Sequence, residues 1–230
     1  MKKFIYENVQ SISYRLRLQT FRRRQDSYDL TDVAFFQAAE ESVAFLQERL
    51  PFARQFRDDL ALIDFAITLA KPVGLFLEFG VASGRTIRHI ASRTAANVYG
   101  FDSFEGLPDN WRSGFERGRF AQALPAVPTS VSLIKGWFSE TLPGFVKKHH
   151  EDVSFLHVDC DLYSSTACIF DCLAGQIRPG TVIVFDEYLN YPGWRNHEHK
   201  AFQEFLNKSG LQADYVAYVP SHQQICVLLK

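Results

Sequence analysis

From residue 74 onward this 230-residue chain alternates short apolar runs with longer amphipathic stretches. The apolar runs predict strands at 74–80, 98–103, 131–135, 153–159 and 181–186, and the stretches between them predict helices at 84–96, 138–149, 163–175 and 196–208. Such alternation implies parallel βαβ units. The last two apolar runs, 214–220 and 223–229, are separated only by a tight turn around Ser221 and His222. That link is too short for a crossover helix, so the pair must close as an antiparallel hairpin. The expected fold is α/β and Rossmann-like: seven strands, mostly parallel, ending in that hairpin.

Residues 1–72 read as a helical extension ahead of a catalytic domain spanning 73–230. Phe36, Ala39, Val43, Leu46 and Leu50 share one helical face, which predicts a helix over 31–49 with Thr31 as N-cap. Pro51 is expected to open a second helix carrying Phe56, Leu60, Ile63, Ile67 and Ala70, ended at Lys71-Pro72. Ahead of both, residues 1–24 hold seven Lys/Arg against one Glu, a net +6 in a chain of net −1. This arm has Ile5, Val9, Ile12 and Leu16 at helical spacing and is read as packing on the domain or on a second subunit, with an anionic surface as the alternative. The balanced total charge gives no strong case for nucleic acid. Cys160, Cys168, Cys172 and Cys226 form no C-x-x-C pair, which suits reduced thiols in a cytoplasmic protein. No apolar run is long enough to span a bilayer.

The turn after the first strand, Glu78-Phe79-Gly80-Val81-Ala82-Ser83-Gly84, bounds a loop with two glycines before a helix start at Arg85-Thr86. Glycines allow close backbone approach, and the helix N-terminus offers unpaired N–H groups. A nicotinamide fingerprint would need glycines where Ala82 and Arg85 stand, and Glu78 would repel a pyrophosphate. The pattern E-x-G-x-A-x-G instead resembles the first motif of class I S-adenosylmethionine (SAM) methyltransferases. Asp102 follows at the end of the next strand, where a ribose diol would be held.

Ligands of open α/β sheets gather beyond the carboxyl ends of the strands. Those ends carry Glu78, Asp102, Gly136-Trp137-Phe138, Asp159-Cys160-Asp161 and Asp186-Glu187. Trp137 or Phe138 has the shape to stack on an adenine, or simply to cover the sheet edge. Asp159, Asp186 and Glu187 sit at neighbouring strand ends and would repel one another without a counter-charge, so a hard divalent ion such as Mg²⁺ is an economical partner. The plainer alternative is that Asp186 and Glu187 cap the following helix. Tyr191 to His199, aromatic and polar, has the mixture expected of a sugar-binding wall.

Together with Asp102-Ser103-Phe104-Glu105-Gly106-Leu107-Pro108, Gly136 to Pro143, His157 to Tyr163 and Phe185 to Tyr188, the glycine turn resembles the macrocin O-methyltransferase (TylF-like) family over roughly residues 74–230. The resemblance implies a class I methyltransferase fold and a SAM- and Mg²⁺-dependent enzyme that methylates sugar hydroxyls. Glu78, Gly80 and Gly84, with Val81, Ala82, Ser83 and Thr86 between and after them, would line the methionine moiety. Asp102 would hold the ribose, with Ser103, Phe104, Gly136, Trp137, Phe138 and Asp159 beside the nucleoside. Asp159, Asp186 and Glu187 would bind the metal, and Asp161, or else His197 or His199, would be the base. A glycan or small-molecule acceptor is expected, with a catechol as an alternative diol and self-association through the N-terminal helices. A nucleic-acid methyltransferase, a metal-dependent hydrolase and a non-catalytic scaffold are the rival readings. The hydrolase leaves the glycine turn and Asp102 without a role.

Overall fold

The computed structural model describes residues 27–230, so the basic arm lies outside the described residues. In chain order the elements are α1 (Leu30–Arg49), β1 (Arg54–Gln55), α2 (Asp59–Leu69), β2 (Leu75–Phe79), α3 (Arg85–Arg93), β3 (Val98–Asp102), β4 (Val131–Lys135), α4 (Phe138–Val146), β5 (Val153–Val158), α5 (Tyr163–Leu173), β6 (Val182–Phe185), a 3₁₀ turn (Trp194–Asn196), α6 (Glu198–Ser209), β7 (Ala213–Tyr218) and β8 (Ile225–Leu229). They build one sheet of order β1-β7-β8-β6-β5-β2-β3-β4. β7 and β8 run antiparallel, as do β8 and β6, and the other pairs are parallel. The seven expected strands and the closing hairpin are all present. The eighth, β1, is a two-residue strand added beside β7.

Side-chain alternation along the strands divides the core into two layers. Leu75, Leu77 and Phe79 of β2 join Phe101, Leu156, Val158 and Phe185 under α4, α5 and α6, and α1 adds Phe45 to the same layer. Phe76 joins Phe155, Val182 and Val184 under Leu62, Ile63 and Ala66 of α2 and Ile87 and Ile90 of α3. The switch point lies between β2 and β5, where the chain leaves toward β3 on one side and β6 on the other. The ligand crevice of such a sheet therefore opens at the ends of β2 and β5.

Two helix starts differ from expectation. Asp29, not Thr31, caps α1, its carboxylate accepting from the Thr31 N–H at 2.9 Å. The helix begins at Leu30, so Thr31 is already inside the first turn and Asp29 stands at the cap position, where its carboxylate reaches the free N–H. Pro51 opens no helix, because residues 51–58 form a turn and the strand β1. α2 starts eight residues later under Asp58, whose carboxylate accepts from the Ala61 N–H at 2.8 Å. All four cysteines are free. No helix among the described residues is long and apolar enough to cross a membrane.

Candidate functional site

Three backbone turns make the floor of the crevice. Gly80 leaves β2 at φ 93°, and a Cβ built on it would lie 1.6 Å from the Asp159 carbonyl oxygen. Only glycine lets β2 and β5 pass this closely, with the Asp159 N–H donating to the Phe79 carbonyl at 2.8 Å. Ala82 follows at φ 44°, a left-handed conformation that an L side chain adopts at a cost, and Gly84 at φ 75° caps α3. Ser83 is exposed, and its carbonyl accepts from Arg88 at 3.1 Å.

Asp102, at the end of β3, ties this turn to the next. Its Oδ2 accepts from the N–H groups of Val81 (3.0 Å) and Ala82 (2.8 Å), and its Oδ1 accepts from the Phe104 N–H (2.7 Å). Phe104 is itself buried at φ 58°. Ser103 Oγ accepts from the Glu105 N–H at 3.1 Å, which closes the Asp102–Pro108 loop on itself. Gly136, at φ 141°, donates to the Asp102 carbonyl at 3.0 Å, and Phe138 packs edge-on to Phe79 with ring centroids 5.1 Å apart.

Above this floor is a cavity of about 590 Å³, lined by Gly80, Ala82, Asp102 and Ser103 of the two turns and by Trp137, Phe138 and Ser139 at the start of α4. The same cavity is lined by four acids, Asp159, Asp161, Asp186 and Glu187, and by Trp111, Arg112, Phe115 and Phe120. Burial, and then Asp186, push the Asp161 carboxyl up to about 7, against the pull of the Arg112 guanidinium. Burial and the neighbouring acids raise Asp159 and Glu187 well above the usual carboxylate range. Asp161 stands at φ 62°, so its side chain is aimed by a backbone conformation that costs about 1–3 kcal/mol to hold.

A fifth acid, which the sequence reading missed, holds the two acidic loops together. Glu198 is fully buried at the start of α6; its Oε1 accepts from the Cys160 N–H at 3.4 Å and its Oε2 from the Glu187 N–H at 3.2 Å. In sequence it looks like any acid in the first turn of a helix. His157 was also missed, although its motif was read. Its Nδ1 meets Glu78 Oε1 at 3.0 Å with both side chains at 0% exposure, and its Nε2 is buried without a partner. Burial opposes a charged imidazole there, but Glu78, Asp186 and Asp59 outweigh it and raise its pKa.

Several expected residues sit elsewhere. Glu78 lies under the cavity floor and not on its wall, because alternation along β2 turns it to the α2–α3 layer, where it accepts from Thr86 Oγ1. Val81 and Thr86 are likewise buried and act on the site through these bonds. His199 is packed edge-on against Phe45 and Trp194, with ring centroids 5.6 and 4.9 Å away, and burial pulls it down to about 4. It is a core residue off the cavity wall. His197 is half-buried, its ring 6.2 Å from that of Trp111, so it backs the wall without lining it. Tyr191 and Trp194 are fully buried, so the aromatic part of the expected sugar wall at 191–199 is inner core; Trp111, Phe115 and Phe120 of the 105–130 loop line the cavity instead. The spacing of the aromatics in that loop follows no helix or strand period, so the sequence gives no signal of this role.

A methyltransferase-domain family model matches residues 77–188, the span from β2 to the acids after β6. Over that span the chain is similar to the methyltransferase domain. A curated relative, the 8-demethyl-8-(2,3-dimethoxy-alpha-L-rhamnosyl)-tetracenomycin-C 4'-O-methyltransferase of Streptomyces olivaceus, is 28% identical over 141 residues. That match covers 50% of this chain and 53% of the relative, so the aligned region spans about half the length of the curated protein. Among solved structures, the calicheamicin methyltransferase CalS11 superposes with TM-score 0.60 at 20% identity, covering 90% of this chain and 99% of that one. The O-methyltransferase NovP gives 0.58 at 20% identity over 74% of this chain and 78% of that one. These likenesses establish the fold, and with it the expected class I arrangement of the methyltransferase domain.

Proposed function

We propose that this protein is a SAM-dependent, divalent-ion-assisted O-methyltransferase whose acceptor is a hydroxyl of a sugar or glycosylated small molecule. The observation that carries the reading is one cavity lined both by the glycine turn and by four acids, Asp161 among them. The curated relative's printed activity, 4'-O-methylation of a rhamnosyl group, supports the acceptor class.

The residues fit both groups. Gly80 leaves backbone where any side chain would intrude, and Trp137 and Phe138 offer flat apolar faces to a nucleoside. Asp159 and Asp186, with Glu187 beside them, are oxygen donors of the kind Mg²⁺ takes, and their mutual repulsion is relieved by a cation. When bound, SAM supplies an electrophilic methyl group and the ion lowers the pKa of a hydroxyl.

The chain's own contribution is orientation and proton removal. Asp102 fixes the turn that faces the methionine end. The aromatic wall of Trp111, Phe115 and Phe120 presents apolar faces to a sugar ring and excludes water. Asp161, held near neutrality by burial beside Asp186, is placed to take the hydroxyl proton. It is favoured over His197 and His199 because it alone of the three lines the cavity.

Calorimetric titration with SAM and with NAD, followed by methyl transfer to a panel of glycosylated acceptors with and without EDTA, tests the reading. SAM binding, NAD exclusion and EDTA-sensitive transfer are expected. Saturable NAD binding without SAM binding would refute it.

A further inference from the structure

An imidazole nitrogen of His157 and one carboxylate oxygen each from Asp159 and Asp186 all lie within 4.8 Å of one another. His157 Nδ1 is already committed to Glu78 at 3.0 Å. The nitrogen left for a further bond is therefore Nε2, which is fully buried and has no hydrogen-bond partner. His157 is in β5, Asp159 is the residue just past its end, and Asp186 is the residue just past the end of the adjacent β6. One ring nitrogen of His157 therefore lies near both aspartates, and Nε2 is the ring nitrogen without a partner.

We infer that His157 Nε2 is the third protein ligand of a His157–Asp159–Asp186 cation site, with Glu78 orienting the ring, and that the site favours a first-row transition ion such as Mn²⁺ over Mg²⁺. Ligating histidines commonly donate their second ring N–H to a carboxylate, which fixes tautomer and orientation. Glu78 is such a partner, and it is itself held by Thr86 Oγ1 from α3. This explains why a buried carboxylate sits at the end of β2 although it does not reach the cavity.

The distances require modest movement. Three atoms at the corners of a 4.8 Å triangle have a centre about 2.8 Å from each, so inward shifts of about 0.7 Å reach ordinary ligand distances. Side-chain torsions of two half-buried aspartates supply that. Imidazole suits transition ions such as Fe and Zn, and Mn²⁺, though at home with carboxylates, accepts a nitrogen ligand more readily than Mg²⁺, which keeps oxygen ligands and waters, so the nitrogen donor shifts the preference toward a transition ion. Glu187 lines the same cavity but is not part of this triad.

The inference rests on the proposed function only in assuming that a divalent ion binds at these acids, and it is tested without SAM or acceptor. Mn²⁺ alone is added to the full chain, binding is followed by electron paramagnetic resonance, and pulsed spectra are searched for nitrogen coupling. A directly bound ¹⁴N signal is expected in the unaltered protein. His157→Gln should abolish that signal and weaken Mn²⁺ at least tenfold with little effect on Mg²⁺. Glu78→Gln should keep the signal and weaken Mn²⁺ by about 10–100-fold. Glu187→Gln should change neither. Saturable Mn²⁺ binding without nitrogen coupling overturns the inference and leaves the proposed function standing. No saturable binding of Mn²⁺ or Mg²⁺ overturns both. The spectrum of the unaltered protein decides even where the His157 variant does not fold.

Discussion

Replacing Asp102 should destabilise the protein before any ligand is added. Its carboxylate accepts three backbone N–H groups, from Val81, Ala82 and Phe104, and so couples two loops that have left-handed residues at Ala82 and Phe104. Hydrogen bonds to a charged group contribute about 1.5–3 kcal/mol each, but this side chain is half-buried and water from the cavity would re-solvate some of the freed donors. For Asp102→Ala the expected loss is therefore about 3 kcal/mol, not the sum of three full bonds. In a chain of this size that corresponds to a melting point lower by about 6–12 °C. Asp102→Asn tests the geometry. If the amide oxygen serves Val81 and Ala82, its NH₂ meets the Phe104 N–H, donor against donor, and about 2 kcal/mol should still be lost. Urea and thermal unfolding of the ligand-free variants measure both values. If Asp102→Ala melts within a degree of the parent, the carboxylate is not the tie described and serves only as a ligand group.

Ala82→Gly should raise stability by about 0.5–1 kcal/mol in the same assay, since it removes left-handed strain and costs only the extra freedom of the unfolded chain. Any destabilisation would show that the Ala82 methyl packs more than it strains. His199 has its pKa lowered by burial from 6.5 to about 4, so between those values the unfolded chain binds a proton that the folded one refuses and stability falls with falling pH. Solvent screening of the half-buried ring limits this to about 1–2 kcal/mol, and His199→Phe should remove it, as read from urea midpoints at pH 7 and pH 5. The raised acids act in the opposite direction, so the comparison with the variant isolates the histidine. Glu198→Ala strands the N–H groups of Cys160 and Glu187 and should cost about 2–4 kcal/mol while weakening divalent-ion binding; unchanged ion affinity would show that the two loops need no tie.

What was readable in the sequence follows the range over which each signal acts. The β2 turn, Asp102 and the acids after β5 and β6 were legible because each is a short pattern at a strand end, and strand ends converge by topology alone. The face to which a side chain turns was harder. Glu78 was expected at the ligand because it adjoins the glycine turn, yet its parity on β2 sends it under the sheet to His157, a partner on another strand. Tyr191 and Trp194 likewise read as a wall because they follow the acids, whereas Trp194 packs on Phe45 of α1 and Tyr191 on Trp111, both far away in sequence. Glu198 and Arg112 carried no local signature at all. Their roles come from contacts with loops that only the folded chain brings together.

The brief strand β1 also bears on how this sheet meets other molecules. An open sheet edge offers a ladder of unpaired N–H and C=O groups to any passing extended chain. Here the edge beside β7 is closed by two residues, and Arg54 lays its guanidinium 4.7 Å from the Phe65 ring centroid while Gln55 bonds the Tyr218 hydroxyl at 2.7 Å. A ladder this short, fronted by a long cation, gives an incoming strand almost nothing to zip onto. The same two residues that look incidental in the chain thus guard a hydrophobic hairpin against templated aggregation.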